Sequence, residues 1–451
     1  MINTVVIDFY LDHTREAILK LEEENLIKIK YWLVDKKYNT EESMHSVEME
    51  DILRETYEDI VCPDHLYDEV HKKMYWAMNL DNRWERSTEL CNYVHNFNLY
   101  IKYWYKVLSI NNVEMMLLGN APHGCLQYVA YLVAKAMGIR IIITEQIYQL
   151  KNRFICAKSL EAMGKVEFRF KQKKDHQKIE HKYEKNLFYM KNAKPLLESG
   201  EVKLLKKELL NRVAEMIKKE RSLWMYKIGE VIGYKLISNY LNSRFKKCRD
   251  DLCVEFDSSK KYVYFPLHFQ PEMTTDTLGG IYEDQLLAVE RLASILPSDW
   301  YIYLKENPMQ TYYKRSKKFF LRLKSINKAR LVRPDISTYT LIQYSQFVST
   351  ITGTVGWEAI TGGKNVLVFG NAWYRTLPGV FEYKESLDIS EIIDYKVDHK
   401  YFTKVFNEFD ETTLLKGVVA GGNGKDFNPD FNILKNNEEV YDSLKLAITY
   451  Y

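Results

Sequence analysis

Twice along this sequence, short apolar runs bounded by turn residues alternate with stretches whose apolar residues fall at helical spacing. That alternation constrains the chain to α/β folds built on parallel sheets. In the first series "NTVVIDFY" reads as a buried strand, "TREAILKLEEEN" as a helix and "IKIKYWLV" as a second strand. A polar, aromatic-rich helical region follows from about Met44 to Leu108. Then "VEMMLLGNAPHGCLQYVAYLVAKAMGIRIIITEQ" divides into a strand, a loop, a helix ended by Gly138 and a strand. This is a βαβ unit, whose ligand side lies at the strand C-termini.

The second series begins near Lys260. "KKYVYFPLHF", "DWYIYLKENP" and "ARLVRP" are strands, with helices "YEDQLLAVERLASIL", "KRSKKFFLRLKSI" and "STYTLIQYS" between and after them. Pro and Gly fall between elements, as punctuation should. Two Rossmann-like, doubly wound domains facing one another across a cleft are therefore expected, as residues 1–245 and 246–451, with the join in the charged stretch Arg244 to Lys260.

Composition sorts the partners. The chain of 451 residues has a formal charge of +3, too near neutral for nucleic acid to be its main partner. From Ala157 to Ser222, however, there are eighteen Lys and Arg against ten Asp and Glu. Leu204, Leu205, Leu209, Val213, Met216 and Ile217 lie at helical spacing there. The segment reads as a solvated helical insertion or, alternatively, as a basic amphipathic surface for anionic lipid. "MINTVVIDFY" shows no secretory pattern, no apolar run is long enough to span a bilayer, and the six cysteines are scattered. A cytoplasmic protein with reduced thiols is expected, with peripheral contact at the inner membrane left open.

The densest functional signal is "QFVSTITGTVGWEAITGGKNVLVFGNAWY". A strand ends at Thr350 and a helix begins near Thr354, so unpaired N–H groups and the positive end of the helix dipole meet there. Gly353 and Gly356 would let an anion approach the backbone, with Ser349, Thr350, Thr352, Thr354 and Val355 around it. An ordinary capped strand–helix turn is the alternative. Glu358 could accept hydrogen bonds from ribose or sugar hydroxyls. Three further loops converge on the same sheet edge: His268, Gln270 and Glu272; Lys305, Glu306 and Asn307; Tyr374 and Arg375.

"YFPLHFQPEMTT…LGGIYEDQLLAVERL", "WYIYLKENPMQ" and "STITGTVGWEAITGGKNVLVFGNAWYRTLPGVFEY" resemble the capsular and surface-polysaccharide biosynthesis family, which includes bacterial Kdo transferases. The likeness spans about Tyr262 to Tyr383, and extends faintly to "NAPHGCLQYVAYLVAKAMGI". The resemblance implies a GT-B glycosyltransferase with a nucleotide-sugar donor on the second domain and a glycan or glycolipid acceptor on the first. Relatives using CMP-linked acidic sugars, such as Kdo or a nonulosonate, hold the phosphate with a His-Pro pair and a Ser-Ser/Thr pair. Here these match Asn307-Pro308, a departure, and Ser349-Thr350. An Asn amide cannot deliver a proton, which leaves His268 as the candidate acid.

CMP is favoured over UDP or GDP, and no resident cofactor is expected. Phosphate charge would fall to the helix dipole and to Lys305 or Arg375. Candidates for base or nucleophile are His123, Glu145 and Glu272, with Asp8 a fourth. No Asp-x-Asp or ligand-spaced cluster points to a metal. A sugar-nucleotide epimerase of the same architecture and a catalytically inactive envelope-assembly scaffold remain the alternatives.

Overall fold

The structure, a computed structural model, describes residues 1–34, 44–47, 51–52, 57, 60–84, 90–170, 176–183, 224–420 and 424–451. In the first half, β-branched and aliphatic runs give strands β1 (Ile2–Ile7), β2 (Ile27–Leu33), β3 (Met44–His45), β4 (Met115–Leu118), β5 (Arg140–Gln146) and β6 (Arg153–Ala157). In the second come β7 (Cys253–Val254), β8 (Tyr262–Pro266), β9 (Tyr301–Lys305), β10 (Ala329–Val332), β11 (Val348–Thr350), β12 (Val366–Val368) and β13 (Val380–Glu382). A last strand, β14 (Leu414–Lys416), follows them.

Two seven-stranded sheets result, ordered β14-β6-β5-β4-β1-β2-β3 and β13-β12-β11-β8-β9-β10-β7. Every pairing in the second is parallel. In the first only β5–β6 and β6–β14 are antiparallel. Residues on β4 are buried throughout, as a strand covered on both faces requires. In each sheet the chain lays down strands in one direction and then restarts beside the first of them, at β1/β4 and at β8/β11. Those reversals are topological switch points, where open α/β sheets leave a crevice at the strand C-termini.

The chain does not finish in the second domain, as a boundary running from 246 to 451 would have it. Strand β14 pairs with β6, and helix Ile433–Thr449 packs on helix Asp12–Glu23, where Asn437 accepts the Ala17 N–H at 3.2 Å and donates to the Asp12 carbonyl at 2.9 Å. Arg153 on β6 forks onto Asp410 at 2.6 and 3.3 Å, with both side chains buried. A buried charge needs such a partner, so tertiary pairing decides where this segment belongs. The amphipathic stretch Leu204 to Ile217 lies outside the described residues.

The two domains meet along a polar seam. Arg375 Nη2 donates to the Glu161 carbonyl at 2.6 Å, and Trp373 Nε1 donates to Gln149 Oε1 at 3.1 Å. Gly164 has φ +79°, and a Cβ there would stand 2.1 Å from the Ala372 carbonyl oxygen, so only glycine fits. At the other end of the seam Trp76 Nε1 donates to the Gly280 carbonyl at 3.0 Å, and Lys314 Nζ to Asn79 Oδ1 at 2.7 Å.

Candidate functional site

A cavity of about 410 Å³ opens between the C-terminal strand ends of both sheets. His123, Glu145, Gln146, Tyr148 and Gln149 line it from the first domain; His268, Glu272, Asn307, Thr352, Gly353, Thr354, Val355 and Trp373 line it from the second. The corner after β11 therefore faces the cleft, and is not sealed beneath other side chains. Helix Thr354–Thr361 starts there with Gly353 as N-cap and no side-chain cap bond. Gly353 N–H is taken by Thr350 Oγ1 at 3.2 Å and Gly356 N–H by the Gly353 carbonyl at 3.1 Å. Among the described residues, no hydrogen bond takes up the N–H of Thr352, Thr354 or Val355. Three donors at a helix start, open to a cavity, are suited to an anion.

The glycines serve neighbours as well as the cavity. A Cβ at 353 would stand 2.9 Å from His268 Cε1, and one at 356 would stand 2.1 Å from the Tyr374 hydroxyl. Gly353 thus admits the His268 ring to the loop. Gly356 makes room for Tyr374, which is buried and bonds the Gly353 carbonyl at 2.5 Å.

His268 bridges the switch point of the second sheet. Its Nε2 meets Thr350 Oγ1 at 2.9 Å and accepts the Ile351 N–H at 3.3 Å. Accepting a backbone N–H requires a lone pair on Nε2, which puts the ring proton on Nδ1. Burial, and then the Arg315 charge, lower its pKa to about 4. At neutral pH His268 is therefore a neutral ring that offers its Nδ1–H as a hydrogen-bond donor.

The first-domain wall has the opposite character. Glu145, at the end of β5, is 9% exposed and accepts the Ala121 N–H at 3.2 Å. Burial pushes its pKa up to about 8, the Ala121 bond opposes, and the Glu272 charge across the cleft adds to the rise. Near neutrality Glu145 is a carboxylic acid rather than a nucleophile. Glu272 accepts the Thr274 N–H at 2.9 Å on the opposite wall. The Nδ1 of His123 lies 2.9 Å from Asn120 Oδ1 and 2.7 Å from the Ala121 carbonyl, two acceptors that fix the proton there. Its basic nitrogen is then Nε2.

Other expected ligands turn away. Lys305 Nζ donates to the Ile336 carbonyl at 2.5 Å and to Thr338 Oγ1 at 3.3 Å. Arg375 is buried at the seam, bonding Asn371 Oδ1 and Glu382 besides Glu161. Glu306 is held by buried Arg315 at 2.8 and 3.3 Å, and Arg315 also donates to Gln270 Oε1 and to the His268 carbonyl. Gln270 and Glu306 thus underpin the His268 loop without reaching the cavity. Ser349 and Glu358 are buried, and neither they nor Asp8 line it. Asn307 does; its Oδ1 accepts the Met309 N–H at 2.9 Å, which leaves its NH₂ for a ligand.

Tyr148, Gln149 and Arg315 were not anticipated. The first two follow β5 directly, so the rule that ligands gather at strand C-termini could have found them. Arg315 sits in "KRSKK", where charge alone suggests a solvated helix face. Among the described residues no group of three or more His, Cys, Asp or Glu could hold a metal, and no helix is long and apolar enough to cross a membrane.

Two doubly wound α/β domains closing on a shared cleft define a GT-B-type protein. The model of the family described as capsule polysaccharide biosynthesis protein matches residues 174–417, more than half of the chain, and the chain belongs to that family. Similar solved structures include Thermosulfurimonas dismutans KpsC, beta Kdo 2,7 transferase, at 12% identity over 75% of this chain and 88% of that one, with a TM-score of 0.28. UDP-GlcNAc 2-epimerase from Methanocaldococcus jannaschii matches at 12% identity over 96% and 99%, with a TM-score of 0.26. Anabaena Alr3699/HepE in complex with UDP-glucose matches at 8% identity over 98% and 99%, with a TM-score of 0.27. No curated protein matches the sequence.

Proposed function

We propose that this chain is a glycosyltransferase that moves a sugar from a nucleotide-linked donor, held on the second domain, to a surface-polysaccharide or lipid-linked glycan on the first. The observation that carries the reading is the row of open N–H groups at Thr352, Thr354 and Val355, facing a cavity that both domains line. Neutral amides and a helix dipole suit a single phosphate charge. Among the described residues no Lys or Arg lines the cavity, which supports a monophosphate carrier such as CMP over UDP or GDP. A neutral Glu145 would donate to the carboxylate of an acidic sugar such as Kdo instead of repelling it.

In the transfer, the acceptor hydroxyl oxygen bonds to the anomeric carbon, and the bond from that carbon to the phosphate oxygen breaks. The electron pair leaves on the phosphate, which the open amides stabilise. The acceptor proton passes to His123 Nε2, the basic nitrogen of a ring whose tautomer is pinned. Glu145 and the Nδ1–H of His268 are the neutral donors beside the reacting groups. Phosphate charge is met by amides, so activity should survive EDTA.

The test is incubation with CMP-, UDP- and GDP-linked sugars, with and without glycan acceptor. Release of free nucleotide only with acceptor supports transfer. Isomerised donor in the absence of acceptor would overturn it.

A further inference from the structure

Away from the cavity, two neighbouring helices of the second domain share a surface that glycosyl transfer does not explain. Helix Trp224–Asp250 packs beside helix Lys317–Ser325 through Phe245 and Phe320, ring centroids 6.0 Å apart. Asn242 of the first helix also accepts the Tyr312 N–H at 3.0 Å, which fixes its inner face. With Phe245 and Asn242 inward, Ile237, Tyr240, Arg244 and Lys247 follow at spacings of three and four and form one outer stripe. On the shorter helix, Phe320 and Leu323 are buried, while Lys317, Lys318, Leu321 and Lys324 are exposed.

Two properties of this surface stand out together. Ile237, Tyr240 and Leu321 are 59%, 60% and 56% exposed, although each is large and apolar or aromatic. Around them Arg244, Lys247, Lys317, Lys318 and Lys324 are all exposed, and no ion pair among the described residues engages any of them. Of the carboxylates nearby, Asp250 pairs with Arg249, and Asp284 and Glu290 with Arg322, while Asp251 at the helix end is exposed. The surface therefore keeps its positive charge with apolar side chains set within it.

We propose that this two-helix surface docks on an anionic phospholipid bilayer, with Ile237, Tyr240 and Leu321 entering the headgroup boundary and the five cations over acidic lipid. Charge complementarity selects an anionic partner, and the exposed apolar residues select a lipid surface over a purely polar polyanion. The stripe lies in the plane of the membrane, since neither helix can cross it. It is independent of which sugar or nucleotide the cavity takes.

The experiment is co-sedimentation of the full chain with vesicles of phosphatidylcholine alone and of phosphatidylcholine with phosphatidylglycerol. The chain should bind only the vesicles that contain phosphatidylglycerol, and salt should weaken binding. The triple variant K317E/K318E/K324E should lose at least about tenfold in partitioning, since each cation near an acidic surface contributes a several-fold factor. The pair Y240S/L321S, which keeps every charge, should also lose several-fold. Both variants alter exposed side chains, so their melting temperatures should match the parent. Vesicle binding unchanged in both variants would overturn the assignment. So would a loss confined to the charge variant with equal binding to heparin, which marks a polyanion site without lipid insertion.

Discussion

At Glu145 and His268, burial decides which protonation state the cavity offers. Glu145 is raised to about 8, so its neutral form prevails at pH 7 and is lost as pH rises through that value. Where the neutral acid donates to substrate, kcat/KM should fall above about pH 8, and Glu145→Gln, which keeps a donor, should flatten that limb. The stability sign is also fixed. The folded state holds a proton that the unfolded chain gives up near the ordinary carboxyl value. Stability therefore declines as pH rises from there to about 8 and then levels. A pH series of denaturant melts should show Glu145→Gln gaining on the parent over that window, by on the order of a few kcal/mol at its upper end. His268, lowered to about 4, stays neutral throughout and contributes no step near neutrality.

Elements explain what the sequence made legible. The longer strands and helices of both series appear where periodicity placed them, because strands buried on two faces and helices buried on one leave unmistakable patterns. Met44–His45, read as the start of a helical region, instead pairs with β2 as a two-residue edge strand too short to show a period. The corner after β11 was legible as a turn with open amides for the same local reason. What the glycines face was not, since Gly356 answers to Tyr374 and Gly353 to His268, contacts made across the fold. Lys305 and Arg375 show that charge alone does not give direction: both point to carbonyls instead of phosphate. Strand β14 carries no local mark of its sheet, because its place depends on a buried Arg153–Asp410 pair joining distant segments. Removing one partner strands the other charge, so Asp410→Ala should cost about 3–5 kcal/mol, measured by denaturant unfolding.

At the scale of the molecule, the cavity exists because the seam holds two walls together. His123 and Glu145 come from one domain, and Glu272, His268 and the open amides from the other. Gly164→Ala tests this dependence, since its Cβ would meet the Ala372 carbonyl at 2.1 Å with φ at +79°. The variant should fold, lose roughly 1–3 kcal/mol of stability by thermal melt, and lose more in kcat than in nucleotide affinity, because the donor wall lies within one domain. Equal losses in both would mean that the seam does not position the walls.

The central claim is that backbone N–H groups at the start of helix Thr354–Thr361 hold the donor phosphate. Thr354→Pro addresses it directly: proline is accepted at the first position of a helix, and Gly353 before it is already extended at φ −69°, ψ 154°. The substitution removes one open N–H and a hydroxyl without breaking the helix. Titration of CMP, UDP and GDP into parent and variant should show the parent binding, CMP most tightly, and the variant at least about tenfold weaker at an unchanged melting temperature. Equal affinity in the two proteins would contradict the account.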